Sequence, residues 1–508
     1  MSRVKNSMRN SAVGAFSNII MILLNFITRT IFISTLSKEY LGINGLFSNI
    51  LYVLSFAELG VGHAIIYCMY KPANDHNNEK IKALLNLYKK YYFYIGIIVF
   101  LVGISIIPFM NYIILEPPKI SENLIFIYIL YLLETATSYF FSYKRSIIIV
   151  NQQDYICDLI KIIVNIIKSL LQIMVLLLFK NYILYLILFV LSTLFTNILI
   201  SIVANKKYPF IKETCNHQIS KQEIKSIHTN IKSLVIYKLG KVALNGTDNI
   251  IISSLIGLVA VGLYSNYLLI ISSVTGVAYI ILSGTISSIG NVNAKEDVST
   301  KEFIMNCLLL VSGWIYGIIF ICLIVLLNPF ITIWIGKDYL LHISIVIVSV
   351  LYFLIDGLEF STHTYISTLG LFKQVRIGPF IAGVINIILS LLLGSKLGLF
   401  GIFLATSISK ILTTTWLEPY VIYRYDFHKS PIYYYKKYII MLLCIISNLI
   451  ITYWIVNCIN VGGIIGFSIQ AIIAFVLSNI IFLLCFFKTS EFQFVIEKVR
   501  KVICKQKS

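Results

Sequence analysis

Long apolar stretches separated by short polar connections run along almost the whole chain. Most of them reach the ~20 residues that an α-helix needs to cross a bilayer, so they predict about fourteen membrane-spanning helices. They lie near residues 12–36, 42–69, 84–110, 123–147, 157–179, 182–204, 232–256, 258–290, 303–327, 339–368, 374–395, 398–422, 436–457 and 461–487. The first stretch is too long for a signal-peptide core and no small-residue cleavage site follows it, so we expect an uncleaved first span. The pattern predicts an all-α polytopic membrane protein.

Two short motifs recur at nearly the same spacing. GLFSNI at 45–50 returns as GLYSNY at 262–267, an offset of 217, and VNIIKSLL at 164–171 returns as INIILSLL at 385–392, an offset of 221. A repeat of six spans contains an even number of crossings, so its two copies have the same orientation in the membrane. They are then related by an axis along the membrane normal. We therefore expect two six-helix lobes that enclose a central cavity.

The repeat and the loops together suggest a domain organisation. We place an N-terminal six-helix lobe at 1–210, a cytoplasmic linker loop at 211–231 and a C-terminal six-helix lobe at 232–425. Helices 13 and 14 follow at 436–487, and a basic cytoplasmic tail occupies 488–508. In this tail Phe492, Val495, Val499 and Val502 fall on one helical face. That spacing indicates either an amphipathic helix on the anionic inner leaflet or a solvated tail.

Composition and charge agree with this class of protein. The 508 residues are 58% hydrophobic and 12% charged, with a mean hydropathy of +0.88. Most of the 41 lysines and arginines lie in one alternate set of connections. This positive-inside bias places both termini in the cytoplasm and explains the net charge of +19, so nucleic acid is not an expected partner. The nine cysteines are scattered without a C-x-x-C pair, which argues against a metal site or a disulfide framework built from them.

Polar and charged residues inside the apolar stretches point to a wet interior. A charge at the centre of a spanning helix costs roughly 2.5–3.5 kcal/mol on insertion scales, so each needs a partner or a water-filled cavity. Several share one face of a helix, and the seventh span is expected to be one continuous helix from 232 to 256. The predicted substrate path comprises Asn25 and Arg29 in the first span, Glu58 in the second, Lys238, Lys241, Asn245, Asp248 and Asn249 in the seventh, Asp356 and Glu359 in the tenth, and Lys410 in the twelfth.

Several polar residues inside the apolar stretches also have a structural interpretation. Lys238 lies near enough to the cytoplasmic end of its span to extend its amine to the interface. Asp248 and Asn249 are also explained as a hydrogen-bond pair between helices. His363, which shares a face with Asp356 and Glu359, is more typical of a helix-packing residue than of a proton relay, and Glu418 in the twelfth span is close to the inner interface. Arg29 lies toward the outer, charge-poor side, where it faces either substrate or a counter-charge such as Glu58.

Several blocks of the sequence resemble the Wzx-type polysaccharide flippases of the multidrug/oligosaccharidyl-lipid/polysaccharide exporter superfamily. They are NSMRNSAVGAF (Asn6–Phe16), YLGINGLFSNILYVLSFAELGVGHAIIY (Tyr40–Tyr67), MYKPANDHNNEKIKALLNLYKKYY (Met69–Tyr92), YKRSIIIVNQ (Tyr143–Gln152), YKLGKVALNGTDNIIISSLIGLVAVGLYSNY (Tyr237–Tyr267) and LGLFGIFLATSIS (Leu397–Ser409). The resemblance covers about residues 6–425. It implies a V-shaped pair of six-helix lobes that alternate between inward- and outward-open states.

The resemblance also implies a function, the movement of undecaprenyl-diphosphate-linked oligosaccharide repeat units from the inner to the outer leaflet. In the related lipid II flippases, arginines of the early helices face a cationic cavity, and Arg29 occupies a similar place. Those proteins also bind a cation near an acidic seventh-helix residue, for which Asp248 is the matching candidate. The predicted path of this chain differs because it also contains Glu58, Asp356 and Glu359.

The expected partners and energy source follow from the same interpretation. The partners are the lipid-linked oligosaccharide, membrane lipids, and the polymerase and glycosyltransferases of surface polysaccharide biosynthesis in a bacterial plasma membrane. No cofactor is expected and no nucleotide motif is present, so the membrane potential or coupled H⁺ or Na⁺ is the expected driving force. A drug/cation antiporter of the same superfamily is the alternative. An enzyme is not expected, because the longest predicted external segment has only about a dozen residues.

Overall fold

The chain folds almost entirely into α-helices. The computed structural model describes residues 2–58, 60–215, 219–459 and 461–505, apart from the side chains of some helical residues, and contains no strand in those ranges. The chain forms two compact units, residues 1–262 and residues 263–508. The prediction of an all-α polytopic membrane protein is therefore confirmed.

The first unit contains eleven of the described α-helices. They are α1 (Ser2–Thr35), α2 (Lys38–Leu54), α3 (Val61–Asn74), α4 (Asn78–Ile106), α5 (Met110–Ile113), α6 (Leu124–Tyr139), α7 (Arg145–Val150), α8 (Tyr155–Phe179), α9 (Tyr182–Lys207), α10 (Lys221–Gly246) and α11 (Asp248–Leu255). Short 3₁₀ turns cover Ser55–Glu58, Ile107–Phe109, Ser142–Lys144 and Pro209–Lys212. Within this unit α1 packs on α8, α8 and α6 on α9, and α4 on α6.

The remaining described helices lie in the second unit, apart from the first turn of α12. They are α12 (Leu258–Ser283), α13 (Ile286–Lys295), α14 (Val298–Trp334), α15 (Ile343–Leu358), α16 (Phe360–Leu369), α17 (Phe372–Val375), α18 (Ile377–Ile411), α19 (Thr414–Ile422), α20 (Ile432–Asn457), α21 (Gly463–Phe486) and α22 (Ser490–Lys505). A 3₁₀ turn covers Lys337–Tyr339 and a π-helical turn covers Tyr423–Phe427.

Helix α14 is the central element of the second unit. It packs against α15, α16, α20, α21 and α22. In its most apolar stretch 72% of the residues are buried, compared with 11% for the most apolar stretch of Ala12–Thr35 in α1. A helix that is apolar on all sides is typical of such a position, because protein rather than lipid surrounds it.

Ten described helical segments are long and apolar enough to cross a membrane, or eleven if the bent pair Ile343–Leu358 and Phe360–Leu369 is one span. This number is lower than the predicted fourteen for two physical reasons. The segment Phe372–Phe427 has 56 residues, enough for two crossings, and contains Gly398 with a positive φ of 60°. The predicted second and seventh spans are each interrupted, so neither forms one long helix.

The interruption of the second span lies between α2 and α3. The 3₁₀ turn ends at Glu58, and Gly60 has a φ of 151°, which side-chain-bearing residues rarely adopt. Gly62 follows at a close approach, because a Cβ there would lie 2.5 Å from the Tyr88 hydroxyl and 2.7 Å from the Tyr92 hydroxyl. Gly60 therefore allows the backbone conformation of this break, and Gly62 allows the two tyrosine hydroxyls to approach the helix.

The seventh span differs from its prediction in two ways. Helix α10 begins at Lys221, inside the segment predicted as a linker loop, because Ser220 and Glu223 form a capping box. The helix then ends at Gly246 and α11 starts at Asp248, so the expectation of one continuous helix over 232–256 is wrong. Thr247 stands at the interruption, where its hydroxyl donates to the Ala243 carbonyl at 2.9 Å.

The C-terminal tail is helical, as its apolar spacing predicts. Helix α22 packs on α14, with the Phe492 ring stacked on Trp314 at 5.5 Å between centroids. Glu491 is paired with Lys437. Part of the apolar face of α22 is therefore covered by protein, while the prediction that the helix lies on the inner leaflet stays a prediction.

Candidate functional site

Arg29 in α1 lies beside a group of tyrosines within the first unit. Its guanidinium is close enough to the hydroxyls of Tyr131 and Tyr185 to act on both electrostatically. Asn44 donates to the Tyr131 hydroxyl at 2.7 Å, and the Tyr131 and Tyr182 hydroxyls are 3.1 Å apart. A partly buried arginine near tyrosine hydroxyls provides the donor chemistry that binds phosphate oxygens.

Glu58 is held at the break of the second span. The Tyr92 hydroxyl donates to its carboxylate at 2.5 Å, and the Tyr88 hydroxyl donates in turn to Tyr92 at 3.1 Å. This chain of hydroxyls satisfies the carboxylate within the apolar interior of the unit. Asn25, by contrast, is exposed on α1, on the same helix as Arg29.

The polar residues of the seventh span are only partly described. Asn249 is 2% exposed and donates to the Gly45 carbonyl of α2 at 3.3 Å, which supports its structural interpretation as a link between helices. Asp248 is half-buried at the first position of α11. The side chains of Lys238, Lys241 and Asn245 lie outside the described part of the structure. Their role in a substrate path stays a prediction.

The first unit also holds a half-buried carboxylate, Glu134, that the predicted path does not include. Glu134 in α6 accepts from the Thr193 hydroxyl of α9 at 2.8 Å. On neighbouring α8, Lys168 donates to Asn165 at 2.8 Å, and its amine lies 5.5 Å from the centroid of the Phe189 ring. In the sequence Glu134 is one acidic residue in an apolar stretch, and its partner Thr193 is 59 residues away along the chain. Only the fold brings α6, α8 and α9 together.

In the second unit a group of charges lies at the bend between α15 and α16. These two helices meet at 41°, and Glu359 is the residue between them. Lys410 of α18 is 3% exposed, forms an ion pair with Asp356 and lies 3.2 Å from Glu359 Oε2. Its amine also lies 4.8 Å from the centroid of the Tyr352 ring. The structure thus pairs the three predicted path residues of this unit with one another.

Two further residues extend this group toward α19. Glu418 is 1% exposed and accepts from the Thr362 hydroxyl at 2.9 Å, and His363 Nδ1 lies 2.8 Å from the same carboxylate oxygen. The Thr415 hydroxyl donates to Glu359 Oε1 at 2.6 Å. We call Asp356, Glu359, His363, Lys410 and Glu418 the ion cluster. The spacing of these residues along their helices is visible in the sequence. The interpretations of His363 as a packing residue and of Glu418 as an interfacial residue, however, do not predict that these two side chains contact each other.

The side chains of the ion cluster differ in solvent exposure. The Asp356 side chain is 47% exposed, whereas Glu359 and Lys410 are almost completely buried. A buried ion pair of this kind contributes little net stability, but removing one partner leaves an uncompensated charge. The cluster is therefore sensitive to any change in its charge. Whether Asp356, Glu359 and Lys410 line a substrate path stays a prediction.

The fold is similar to that of solved transporters. A lipid II flippase MurJ in an inward closed conformation matches with a TM-score of 0.64 and 20% identity, covering 93% of this chain and 98% of that chain. An inward-facing multidrug resistance MATE family transporter of the MOP superfamily matches with a TM-score of 0.61 and 14% identity, covering 81% and 98%. A Vibrio cholerae MATE transporter matches with a TM-score of 0.58 and 11% identity, covering 85% and 98%.

Other comparisons give no match. No protein-family model matches the chain, and no curated protein matches it. The solved structures therefore establish the fold over nearly the whole chain, and the chain has the fold of membrane transporters and flippases.

Proposed function

We propose that this protein is a flippase of the bacterial plasma membrane. It moves undecaprenyl-diphosphate-linked oligosaccharide repeat units from the inner to the outer leaflet by alternating access, for surface polysaccharide biosynthesis. The observation that carries the proposal is the fold shared with a lipid II flippase over 93% of this chain. The Wzx-like sequence blocks between residues 6 and 425 favour an oligosaccharide as the transported headgroup.

The first unit offers suitable chemistry for such a headgroup. A diphosphate is too strongly hydrated to pass through hydrocarbon, so it needs a polar surface and cationic donors. Arg29 supplies a planar fork of donors that matches phosphate oxygens, and Asn25 is exposed on the same helix. Tyr185, which is half-buried near Arg29, offers a hydroxyl to sugars. The lipid tail stays in the bilayer throughout.

The membrane potential suffices as a driving force in this proposal. Moving one negative charge out of a negative-inside cell gains roughly 2.3 kcal/mol per 100 mV. An exported diphosphate therefore moves down its electrical gradient without ATP. Coupling of H⁺ or Na⁺ at Asp248 belongs to the proposal as a further contribution, together with cytoplasmic termini and association with the polymerase and glycosyltransferases.

Deleting the gene tests the proposal in cells. Lipid-linked repeat units are expected to accumulate on the cytoplasmic side and the surface polymer to disappear, and the intact gene is expected to restore both. Normal surface polymer in the deletion strain contradicts the proposal.

Arg29 variants test the site within the same strain. Arg29→Gln is expected to reduce surface polymer at least about tenfold, since a charge-assisted hydrogen bond contributes about 1.5–3 kcal/mol. Arg29→Lys is expected to recover part of it, because it keeps the charge and loses the fork. Arg9→Gln is the matched control, since Arg9 is an exposed arginine of the same helix.

A drug/cation antiporter is the second candidate. The MATE transporter fold, at a TM-score of 0.61, and the acidic residues of the ion cluster favour it. Under this alternative the deletion strain becomes sensitive to cationic drugs and keeps its surface polymer. Measuring drug sensitivity and surface polymer in the same strain separates the two functions.

A further inference from the structure

Three metal-ligating side chains converge where α16 packs against α19. Glu359 precedes α16, His363 lies one turn further along that helix, and Glu418 projects from α19. One ligand atom from each residue lies within 4.8 Å of the others. Zn²⁺ binds oxygen and nitrogen ligands at about 2.0–2.2 Å, so small side-chain rotations bring all three atoms onto one ion.

The charge of the ion cluster favours a divalent cation at this point. The cluster holds three carboxylates, those of Asp356, Glu359 and Glu418, and a single ammonium, that of Lys410, which pairs with the first two. With His363 neutral the cluster therefore carries two excess negative charges. Glu359 and Glu418 are 3% and 1% exposed, so solvent does little to stabilise them. A bound ion of charge +2 compensates this excess and is the largest local charge wherever it binds.

Hydrogen bonds from threonines already orient the two buried carboxylates. Thr415 and Thr414 donate to Glu359 Oε1 at 2.6 and 3.3 Å, and Thr362 donates to Glu418 Oε2 at 2.9 Å. Glu359 Oε2 accepts no hydrogen bond among the described residues, with the Lys410 amine 3.2 Å away. Ligating carboxylates in metal sites are commonly fixed by such outer hydrogen bonds.

We propose that Glu359, His363 and Glu418 bind one divalent first-row transition-metal ion, of the Zn²⁺, Co²⁺ or Mn²⁺ class. The imidazole selects these ions over Na⁺ and Mg²⁺, which prefer oxygen ligands alone. His363 binds as the neutral tautomer with its proton on Nε2, which leaves Nδ1 for the ion. Its side chain is 30% exposed and provides the entry route, since Glu418 behind it is buried. The bound ion holds α16 to α19 beside the 41° bend.

Co²⁺ titration of the full-length, untagged protein in detergent tests this site. After treatment with a chelator, the protein is expected to bind one Co²⁺ per chain, with the visible absorption of a low-coordinate nitrogen–oxygen site and a higher thermal midpoint. Zn²⁺ is expected to displace the Co²⁺ and remove the absorption. Wild-type protein that shows neither the absorption nor stoichiometric Zn²⁺ binding overturns the proposal.

Two ligand variants and one control variant test the assignment of the ligands. Glu418→Gln and His363→Asn are expected to weaken Co²⁺ binding at least tenfold, since each removes one of three ligands. Glu418→Gln keeps an oxygen for the Thr362 hydroxyl, so it is expected to remain folded. His76→Asn, a change at an exposed histidine outside the cluster, is the control and is expected to bind normally. Full binding by both ligand variants overturns the assignment, and this outcome does not depend on whether the protein is a flippase.

Discussion

Two contacts between helices occupy matching positions of the repeat. One is the contact of α6 with α9 in the first unit. The other is the contact of α15 and α16 with α18 and α19 in the second unit. Shifting the sequence by the offset of 221 places Tyr131 on Tyr352 and Thr193 on Thr414. The same shift places α6 on α15, and α9 on the second half of α18 with α19. In both units a hydroxyl from the later helix donates to a carboxylate of the earlier one. The two units thus share a common polar contact.

The two contacts differ strongly in charge. At the offset of 221, Ser138, Phe189 and Asn197 of the first unit correspond to Glu359, Lys410 and Glu418 of the second. In the first unit Asn197 donates to the Ser138 carbonyl at 3.1 Å, a neutral link between helices. In the second unit the matching positions carry two buried carboxylates and a buried ammonium. One copy of the repeat therefore has a mainly structural contact, and the other has a contact whose stability depends on charge.

Among the variants that test this difference between the two units, the one that removes the buried ammonium of Lys410 is expected to lose the most stability. Lys410→Met leaves Glu359 and Asp356 without their cation, which costs about 3–5 kcal/mol for a buried pair. We expect a large fall in the thermal midpoint of the purified protein. The matched variant Phe189→Met exchanges one apolar side chain for another and is expected to cost less than about 1.5 kcal/mol.

A double variant separates charge from packing at the same site. Adding Glu359→Gln to Lys410→Met removes one of the uncompensated charges, so part of the lost stability is expected to return. A double variant as unstable as Lys410→Met alone contradicts a charge-based explanation.

A substitution at the break of the second span is expected to cause the next largest loss of stability. Gly62→Ala places a methyl group against the Tyr88 and Tyr92 hydroxyls and disturbs the hydrogen bond from Tyr92 to Glu58. Overpacking of this kind costs about 1–3 kcal/mol, which thermal unfolding measures. Gly276→Ala in α12 is the control, because a Cβ there meets nothing within 4 Å and alanine favours helix. Equal stability of the two variants contradicts the close approach at Gly62.

The smallest expected effect concerns pH at the start of α10. The hydrogen bond from Lys80 lowers the pKa of Glu223 below its ordinary value. A carboxyl with a lowered pKa contributes stability that is present above its unfolded pKa, about 4.3, and is lost as the pH falls through its folded pKa. Glu223→Gln is therefore expected to be slightly less stable than the wild type at pH 7 and to approach it as the pH falls below about 4. A difference that grows on acidification contradicts this interpretation of the pair.

The sequence predicts helices and their faces more reliably than their interruptions and their neighbours. Apolar length predicts the spans, and the spacing of Asp356, Glu359 and His363 places them on one helical face. Spacing along one helix contains no information on the opposing helix, so the contact of His363 with Glu418 becomes evident only in the fold. The break at Thr247 is not evident from the sequence because its residues continue the helical stripe of α10.

Reconstitution in vesicles tests the central proposal most directly. Purified protein is inserted into liposomes that carry an undecaprenyl-diphosphate-linked oligosaccharide, and a glycosidase that cannot cross the membrane digests only the outward-facing sugars. An electrical potential is applied across the membrane. In vesicles with wild-type protein, the proposal predicts that the digested fraction of oligosaccharide exceeds the fraction that starts in the outer leaflet. In vesicles with the Arg29→Gln variant, digestion is expected to stop at the fraction that starts in the outer leaflet. Digestion that stops at the outer-leaflet fraction with folded wild-type protein contradicts the proposed flippase.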